Sequence, residues 1–237
     1  MKILSPKSLT CAAVLCLFAA LSSCLPDSSN SYEFTQTQLG VVQYTSDSSD
    51  SSSSSSWYIL NDDNLKLLPK NAHEVKTAPE NNARVLVAFN VTSTEWSPGY
   101  DYVVTLSYMA LIHVYDVAPS SAAAIADSSD VLRNVDDVWI GSRYLNVDYY
   151  FFYSADADKH EVSLLRDTAA ALQGSDITLF LKHNSKGDGG TTPRQNIVSF
   201  DLESLRGVVP SDTVNVNFEA TCTDGTYRRN FMYVFKE

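Results

Sequence analysis

The sequence has 237 residues, of which 28 are acidic and 17 are basic, and its formal net charge at pH 7 is −11. A chain this acidic has no electrostatic attraction for nucleic acid or for anionic lipid headgroups, so we expect neither as a partner. The length suits one large β domain or two domains of about 100 residues each, and we favour two.

Residues 1–23 have the layout of a secretory signal peptide that ends in a lipobox. Lys2 and Lys7 precede an almost uncharged apolar run over residues 9–21, and the sequence Leu-Ser-Ser-Cys then ends at Cys24. A membrane-spanning helix is the competing interpretation, but a span needs about 20 apolar residues and this run is shorter. We therefore expect cleavage before Cys24 and acylation of its thiol and of the new amino group.

An acylated Cys24 would hold the chain in the cell envelope, as an outer-membrane lipoprotein whose partner is the membrane itself. Each buried methylene contributes about 0.8 kcal/mol, so several acyl chains anchor a protein essentially permanently. Residues 24–38 are polar and lack apolar periodicity, which indicates a tether. A single acid, Asp27, follows the cysteine closely, and this leaves both the periplasmic face and the cell surface open.

The cysteines exclude a disulfide framework. Cys11 and Cys16 leave with the signal peptide and Cys24 carries the lipid, so Cys222 alone remains. Cys222 is in phase with apolar residues on alternate positions of a predicted strand over residues 214–222. We therefore interpret it as a small buried hydrophobic side chain and not as a reactive thiol.

The first half of the chain alternates apolar and polar residues with the period of two that is typical of strands. Residues 48–56 are serine except for Asp50, and such a tract can bury nothing, so we predict a disordered hairpin loop there. Asp62 and Asp63 lie in a predicted turn and lack the ligand spacing of a calcium loop. Strands are predicted at 39–44, 57–60, 65–68, 85–91 and 102–116, the last being long enough to coil around a barrel or to bend between two sheets.

Small residues over 119–130 indicate a linker between two domains, with a helical turn at 122–126. The second half again shows strand after strand, which makes the whole chain all-β. A short helix is predicted at 167–174, and the Asp224-Gly225 pair between alternating runs predicts a hairpin. The second-half strands are predicted at 135–140, 144–153, 160–166, 177–181, 198–202, 214–222 and 227–235.

We find no motif for catalysis, and we predict no catalytic residue, no metal and no cofactor. The sequence lacks the nucleophile elbow, the zinc helix, the dinucleotide fingerprint and the Cys-x-x-Cys pair. His113 stands alone, and the glycines after Lys186 lack the Lys-Ser/Thr that completes a phosphate loop. Asp136 and Asp137 are neighbours on a strand, so they point to opposite faces and do not form the carboxylate pair of a glycosidase.

The lipobox, Leu67-Leu68-Pro69, the run Val135 to Ile140 and the run Arg143 to Val147 resemble the NigD-like lipoproteins. The resemblance covers nearly the whole mature chain and implies an N-terminal OB-like β-barrel over 39–118 and a C-terminal β-sandwich over 131–237. The family is named for a gene beside a bacteriocin, which implies an immunity role, and it brings no catalytic residues. The serine tract replaces the short hairpin that relatives have.

The resemblance also implies O-glycan acceptors, because Asp-Thr followed by a small or aliphatic residue serves this purpose in the bacterial group where the family is common. Asp167-Thr168-Ala169 and Asp212-Thr213-Val214 are similar to that pattern. The candidate acceptors are therefore Thr168 and Thr213.

The leading hypothesis is a non-enzymatic, lipid-anchored envelope protein that binds a protein, a peptide or a glycan. Trp57, Tyr58, Trp96 and Tyr100 flank loops of the first domain and are the candidate contact residues, against the alternative that they pack at strand ends. A structural or assembly component of a surface complex is the next candidate, followed by an immunity protein. A glycan-acting enzyme is the remaining alternative.

Overall fold

The computed structural model describes residues 35–45, 57–76, 79–92, 96–126, 130–169 and 174–235. The predicted signal peptide, the lipidation site Cys24, the serine tract and residues 170–173 of the predicted helix at 167–174 lie outside these residues, and Asp167, where that helix should begin, belongs to a strand. The first strand begins at Gln36, so the end of the predicted tether is part of that strand.

The N-terminal domain is a closed barrel of five strands, in agreement with the predicted OB-like fold. The strands are ordered β1-β2-β3-β5-β4, and β1 pairs antiparallel with both β2 and β4 while β3 and β5 are parallel. Alternate apolar side chains of these strands fill the barrel, with Ile59, Val85 and Phe89 at its fully buried centre. The strands are β1 Gln36–Tyr44, β2 Trp57–Asn61, β3 Lys66–Pro69, β4 Arg84–Val91 and β5 Tyr102–Leu111.

The C-terminal domain contains eight strands in the order β13-β12-β10-β9-β6-β11-β8-β7, which confirms the predicted β-sandwich. One apolar core joins its two halves, with Phe151, Phe200 and Phe218 among its buried side chains. Cys222 is buried in this core, as predicted. The elements are β6 Val114–Ser120, helix α1 Ala122–Ala126, β7 Asn134–Gly141, β8 Tyr144–Tyr153, β9 Glu161–Asp167, β10 Asp176–Asn184, β11 Thr192–Asp201, β12 Thr213–Cys222 and β13 Gly225–Val234.

Strand β6 connects the two halves of the sandwich. Its residues 114–116 pair with β11, whereas residues 117–120 pair with β9. The single long strand predicted over 102–116 is therefore wrong, because the chain breaks at Ile112 and His113 as it passes from the barrel to the sandwich. Strand pairing places that passage ahead of the predicted linker at 119–130. Helix α1 lies where the sequence predicts a helical turn.

A buried polar network joins the barrel to the sandwich. The guanidinium of Arg84 forms two hydrogen bonds with the Asp62 carboxylate, at 2.5 and 2.7 Å, and both residues belong to the barrel. The same guanidinium donates to Asn146 Oδ1 at 3.0 Å and to Ser199 Oγ at 3.3 Å, on β8 and β11 of the sandwich. It also lies 4.4 Å from the ring centre of Tyr144. The residues are Arg84, Asp62, Asn146, Ser199 and Tyr144, and we call them the Arg84 network.

Gly141 provides the space that the Arg84 network needs. A Cβ atom at this position would lie 2.0 Å from Asp62 Oδ2, so a residue with a side chain would displace the carboxylate. Asp62 lies in the turn that the sequence predicts, where Asn61 Oδ1 accepts from the Leu65 amide at 2.7 Å. Its contact with the sandwich was not predicted, because the turn chemistry alone accounts for an aspartate at this position.

Substitution of Arg84 by Met should lower the free energy of unfolding by about 3 kcal/mol, because it leaves the Asp62 carboxylate without its buried partner. Urea denaturation of the purified chain measures this difference. Arg228 is the matched control, since its ion pair with Glu219 is at the surface and Arg228→Met should cost at most about 1 kcal/mol. If Arg84→Met and Arg228→Met lose the same free energy of unfolding, the Arg84 network does not stabilise the protein more than a surface ion pair does.

Candidate functional site

A cleft of about 690 Å³ lies between the barrel and the sandwich. Tyr108 and residues 110–112 form its barrel wall, and residues 157, 158 and 160–162, at and before the start of β9, contribute the opposite wall. Residues 194–198 of β11 form a third side. Ligand sites occur preferentially at domain interfaces of this kind, so the cleft is the candidate functional site.

Exposed apolar side chains line the entrance to the cleft. Tyr108 is 56% exposed, Leu111 69% and Tyr115 41%, and all three line the cleft. The His113 ring stacks on Tyr115 with a centroid distance of 6.2 Å, and the other neighbour of Tyr115 is the buried Phe200 at 6.1 Å. Large exposed apolar side chains gathered at one cleft favour an interaction site.

The floor of the cleft is aromatic and buried. Tyr149 and Phe151 of β8 lie there with their ring centroids 5.9 Å apart. Burial raises the pKa of the Tyr149 hydroxyl to about 12, so the group remains a neutral hydrogen-bonding partner, and it accepts from Asn196 Nδ2 at 3.1 Å. The floor therefore offers flat apolar surface with one neutral polar group.

Charged side chains at the rim of the cleft are paired with one another. Arg194 Nη1 lies 2.9 Å from Asp158 Oδ1, and Lys186 Nζ lies 2.8 Å from Glu161 Oε2. All four side chains are at least 44% exposed, and ion pairs this exposed contribute little to stability. They leave the rim close to electrically neutral, although the whole chain is strongly acidic.

Two histidines meet at the inner end of the cleft. His160 Nδ1 lies 2.9 Å from His183 Nε2, and both rings pack on Phe151 at centroid distances of 4.6 and 5.4 Å. One ring donates its N–H and the other accepts, so the contact requires at least one neutral imidazole. Burial of the imidazole lowers the pKa of His183, and the nearby His160 lowers it further.

Asp188 stabilises the end of the sandwich beside this pair. Its carboxylate accepts hydrogen bonds from the Ser154 hydroxyl and from the amides of residues 154–156, and these bonds hold its pKa well below the usual value. Asp188 Oδ2 also lies 3.6 Å from His160 Nε2. The glycine-rich turn that contains Asp188 therefore holds a buried carboxylate, a feature that the sequence does not signal.

The four aromatic residues predicted to contact a ligand do not form one site. Trp57 is 5% exposed and belongs to the barrel core, so its predicted contact role is wrong and strand-end packing is the correct interpretation. Tyr58 and Tyr100 pack edge to face at 5.6 Å. Trp96 is 80% exposed. None of these four residues lines the cleft.

The two candidate glycan acceptors differ in their accessibility. Thr168 is exposed just after β9, and its hydroxyl donates to the Ser120 carbonyl at 3.0 Å. Thr213 is half-buried at the start of β12, where its amide donates to Ser211 Oγ. Accessibility therefore favours Thr168 over Thr213, and glycosylation of either remains a prediction.

The described residues contain no cluster of three or more side chains that could hold a metal ion. His113 lies exposed beside Tyr115, as described above. In the part of the chain that the structure describes, no helix is long and apolar enough to cross a membrane. The sequence does not signal the pairing of His160 with His183, because 23 residues separate them and only the folded sandwich brings them together.

Stability should decrease as the pH falls from about 7 towards 5, because the unfolded chain binds a proton at His183 that the folded chain resists. The sign follows from the lowered pKa of His183: its stabilising contribution is complete above the unfolded value of 6.5 and is lost on acidification. His183→Gln keeps a polar atom near Nε2 and should remove a slope of at most about 1.4 kcal/mol per pH unit. Thermal unfolding at several pH values measures it.

His73 is the control for this pH dependence, since its side chain is 78% exposed. The variant His73→Gln should keep the pH profile of the original chain. A profile that is unchanged in His183→Gln would mean that other groups cause the loss of stability in acid.

Comparison with known proteins identifies the fold family. Residues 116–232 match the NigD-like C-terminal beta sandwich domain. A candidate toxin-related protein from Parabacteroides distasonis has a similar structure, with a TM-score of 0.64 and 21% identity over 85% of this chain and 94% of that one. No curated protein matches the chain.

Two further solved structures have a similar fold. A NigD-like immunity protein from Bacteroides caccae is 17% identical over 86% of this chain and 99% of that one, with a TM-score of 0.59. A candidate lipoprotein from Bacteroides fragilis is 11% identical over 85% and 99% of the two chains, with a TM-score of 0.56. From its matched sandwich domain and its shared fold, this chain belongs to the NigD-like family.

Proposed function

We propose that this chain is a non-enzymatic, lipid-anchored protein of the cell envelope that binds its ligand in the cleft between the barrel and the sandwich. The observation that carries the proposal is the combination of exposed Tyr108, Leu111 and Tyr115 with a buried aromatic floor. Tyrosine provides a large contact area at a low cost in conformational entropy. The ligand is a protein, a peptide or a glycan.

The chemistry of the cleft supports binding more than catalysis. A hydrolytic site needs an activated nucleophile or two carboxylates that act as acid and base. The carboxylates that line the cleft, Asp158 and Glu161, each form an ion pair with a basic side chain. The histidine closest to the ligand space, His160, has its Nδ1 engaged with His183. The side chains of Asp158, Glu161 and His160 therefore stabilise the walls of the cleft.

The lipid anchor on Cys24 is the second part of the proposal, and its support comes from the signal sequence. The Bacteroides fragilis structure described as a candidate lipoprotein adds support at the level of the fold. We place the protein at the outer membrane, tethered by the residues that precede β1. The immunity role in the name of the Bacteroides caccae protein belongs to that protein, since 17% identity carries the fold and not the role.

The variant Tyr108→Ala should weaken ligand binding by roughly tenfold or more, because an exposed tyrosine in a cleft is a typical hot-spot residue. Arrays of glycans and of peptides, probed with the fluorescently labelled full chain in detergent, identify the ligand and measure the loss. Tyr102→Ala is the matched control, since Tyr102 lies on the same strand with 44% exposure and does not line the cleft.

If Tyr108→Ala and Tyr102→Ala bind the ligand with equal affinity, the ligand binds outside the cleft. Binding of no glycan and no peptide by the original chain would overturn the binding function.

Substitution of Cys24 by Ser should move the protein from the membrane fraction to the soluble fraction, because the thiol that would carry the diacylglycerol is lost. Fractionation of cells followed by immunoblotting measures this change. Cys16→Ser is the matched control, since Cys16 lies in the same signal sequence and should not be acylated. A Cys24→Ser protein that still partitions into detergent would refute the anchor.

A further inference from the structure

The edge of β11 beside the cleft is unpaired over part of its length. Strand β8 pairs with β11 in an unbroken antiparallel register from Thr192 to Asp201, which covers one edge completely. On the other edge β6 pairs only with Ser199, Phe200 and Asp201. Among the described residues no other strand lies beside this edge, and residues 192–196 are exposed.

The register determines which backbone groups face the cleft. The Ser199 amide donates to the His113 carbonyl at 3.1 Å, so Ser199 directs its backbone groups towards β6 and away from β8. Alternate residues of a strand repeat this orientation, so Gln195 and Ile197 also direct their N–H and C=O groups away from β8. The Ile197 amide donates to the Asn196 side chain at 3.0 Å. The Gln195 amide and the carbonyls of residues 193, 195 and 197 are left facing the cleft.

The two faces of this edge each combine apolar and polar side chains. Cross-strand partners share a face, so Arg194 and Asn196 lie on the face of the buried Phe151 and Tyr149, with the Arg194 guanidinium at the rim of the cleft. Ile197 lies on the opposite face, opposite Asp148, and lines the cleft together with Tyr108 and Leu111. A strand added here would alternate its side chains between these two faces.

We propose that the free edge of β11 at residues 193–197 binds an extended peptide segment of another protein as an additional β-strand. The added strand continues the position in the sheet that β6 occupies beside Ser199, so it extends an existing hydrogen-bonding ladder. The exposed apolar side chains Tyr108, Leu111 and Tyr115 and the nearly neutral rim select an uncharged segment with aliphatic or aromatic side chains. Pro193, which has no amide hydrogen, limits the site to about five residues.

This inference rests on the proposed function of the cleft and specifies its ligand. The decisive variant is Gln195→Pro, which removes the one amide that points into the cleft without removing a bond to β8. Gln195→Ala is the matched control, because it loses the same side chain, including its hydrogen bonds to Asp148, and keeps the amide. Phage-displayed random decapeptides selected on the full chain in detergent, and then resynthesised, are the probe.

The resynthesised peptide should bind the original chain and Gln195→Ala within about threefold of each other, and Gln195→Pro roughly tenfold more weakly, as expected for one main-chain hydrogen bond. N-methylation of alternate amides in the peptide should cause a similar loss with the original chain, which tests the pairing without any change in the protein. Thermal unfolding of the two variants verifies that both are folded.

Equal binding by Gln195→Pro and Gln195→Ala, with no effect of peptide N-methylation, would overturn strand addition. Failure to enrich any peptide would overturn it as well. Glycan binding that is lost in Tyr108→Ala would in that case still support the cleft as the functional site, so the two proposals fail separately.

Discussion

The arrangement of the two domains depends on the burial of one arginine. Arg84 is 2% exposed, and removing a guanidinium from water costs several kcal/mol unless every donor finds a partner. Asp62 satisfies part of this requirement from within the barrel, but Asn146 and Ser199 belong to the sandwich. The cost of burying Arg84 is therefore offset only when the barrel and the sandwich adopt this one arrangement, in which Ser199 also donates to Asn146.

The chain crosses between the domains beside the same network. The Ile112 amide donates to the Arg84 carbonyl, and the His113 carbonyl accepts from the Ser199 amide. Ile112 is thus hydrogen-bonded to Arg84 in the barrel, and His113 is hydrogen-bonded to Ser199 in the sandwich. Both partners belong to the Arg84 network. Because the cleft is bounded by the barrel on one side and by β9 and β11 on the others, this attachment gives the cleft a set width before any ligand binds, which lowers the entropic cost of binding.

Most strands could be predicted from the sequence, because each has a local apolar period of two and the turns between them have local chemistry. The burial of Cys222 follows from the same pattern. The contacts that build the site could not be predicted in this way. Arg84 and Ser199 are 115 residues apart, and His160 and His183 meet only after β9 and β10 have paired. Trp57 was wrongly predicted to contact a ligand. The sequence pattern of an aromatic residue at a strand end is the same whether its ring packs in the core or contacts a ligand.

The break at Ile112 was missed for a related reason. Every even position from Val104 to Val114 is apolar, so periodicity cannot distinguish one long strand from two strands in different domains. The family resemblance supplied what the pattern lacked, because it implied a barrel followed by a sandwich. It could not place the passage between them, which depends on the pairing of β6.

The cleft itself follows from the way in which β6 changes sheets. A strand that pairs with β11 through residues 114–116 and with β9 through residues 117–120 cannot cover either neighbour along its whole length. The uncovered part of β11 and the start of β9 both open into the cleft, so the free backbone groups are a consequence of the topology. The side chains around them are not constrained in this way. A fold of this kind can therefore keep one mode of recognition while changes at positions such as Tyr108 and Tyr115 alter the ligand.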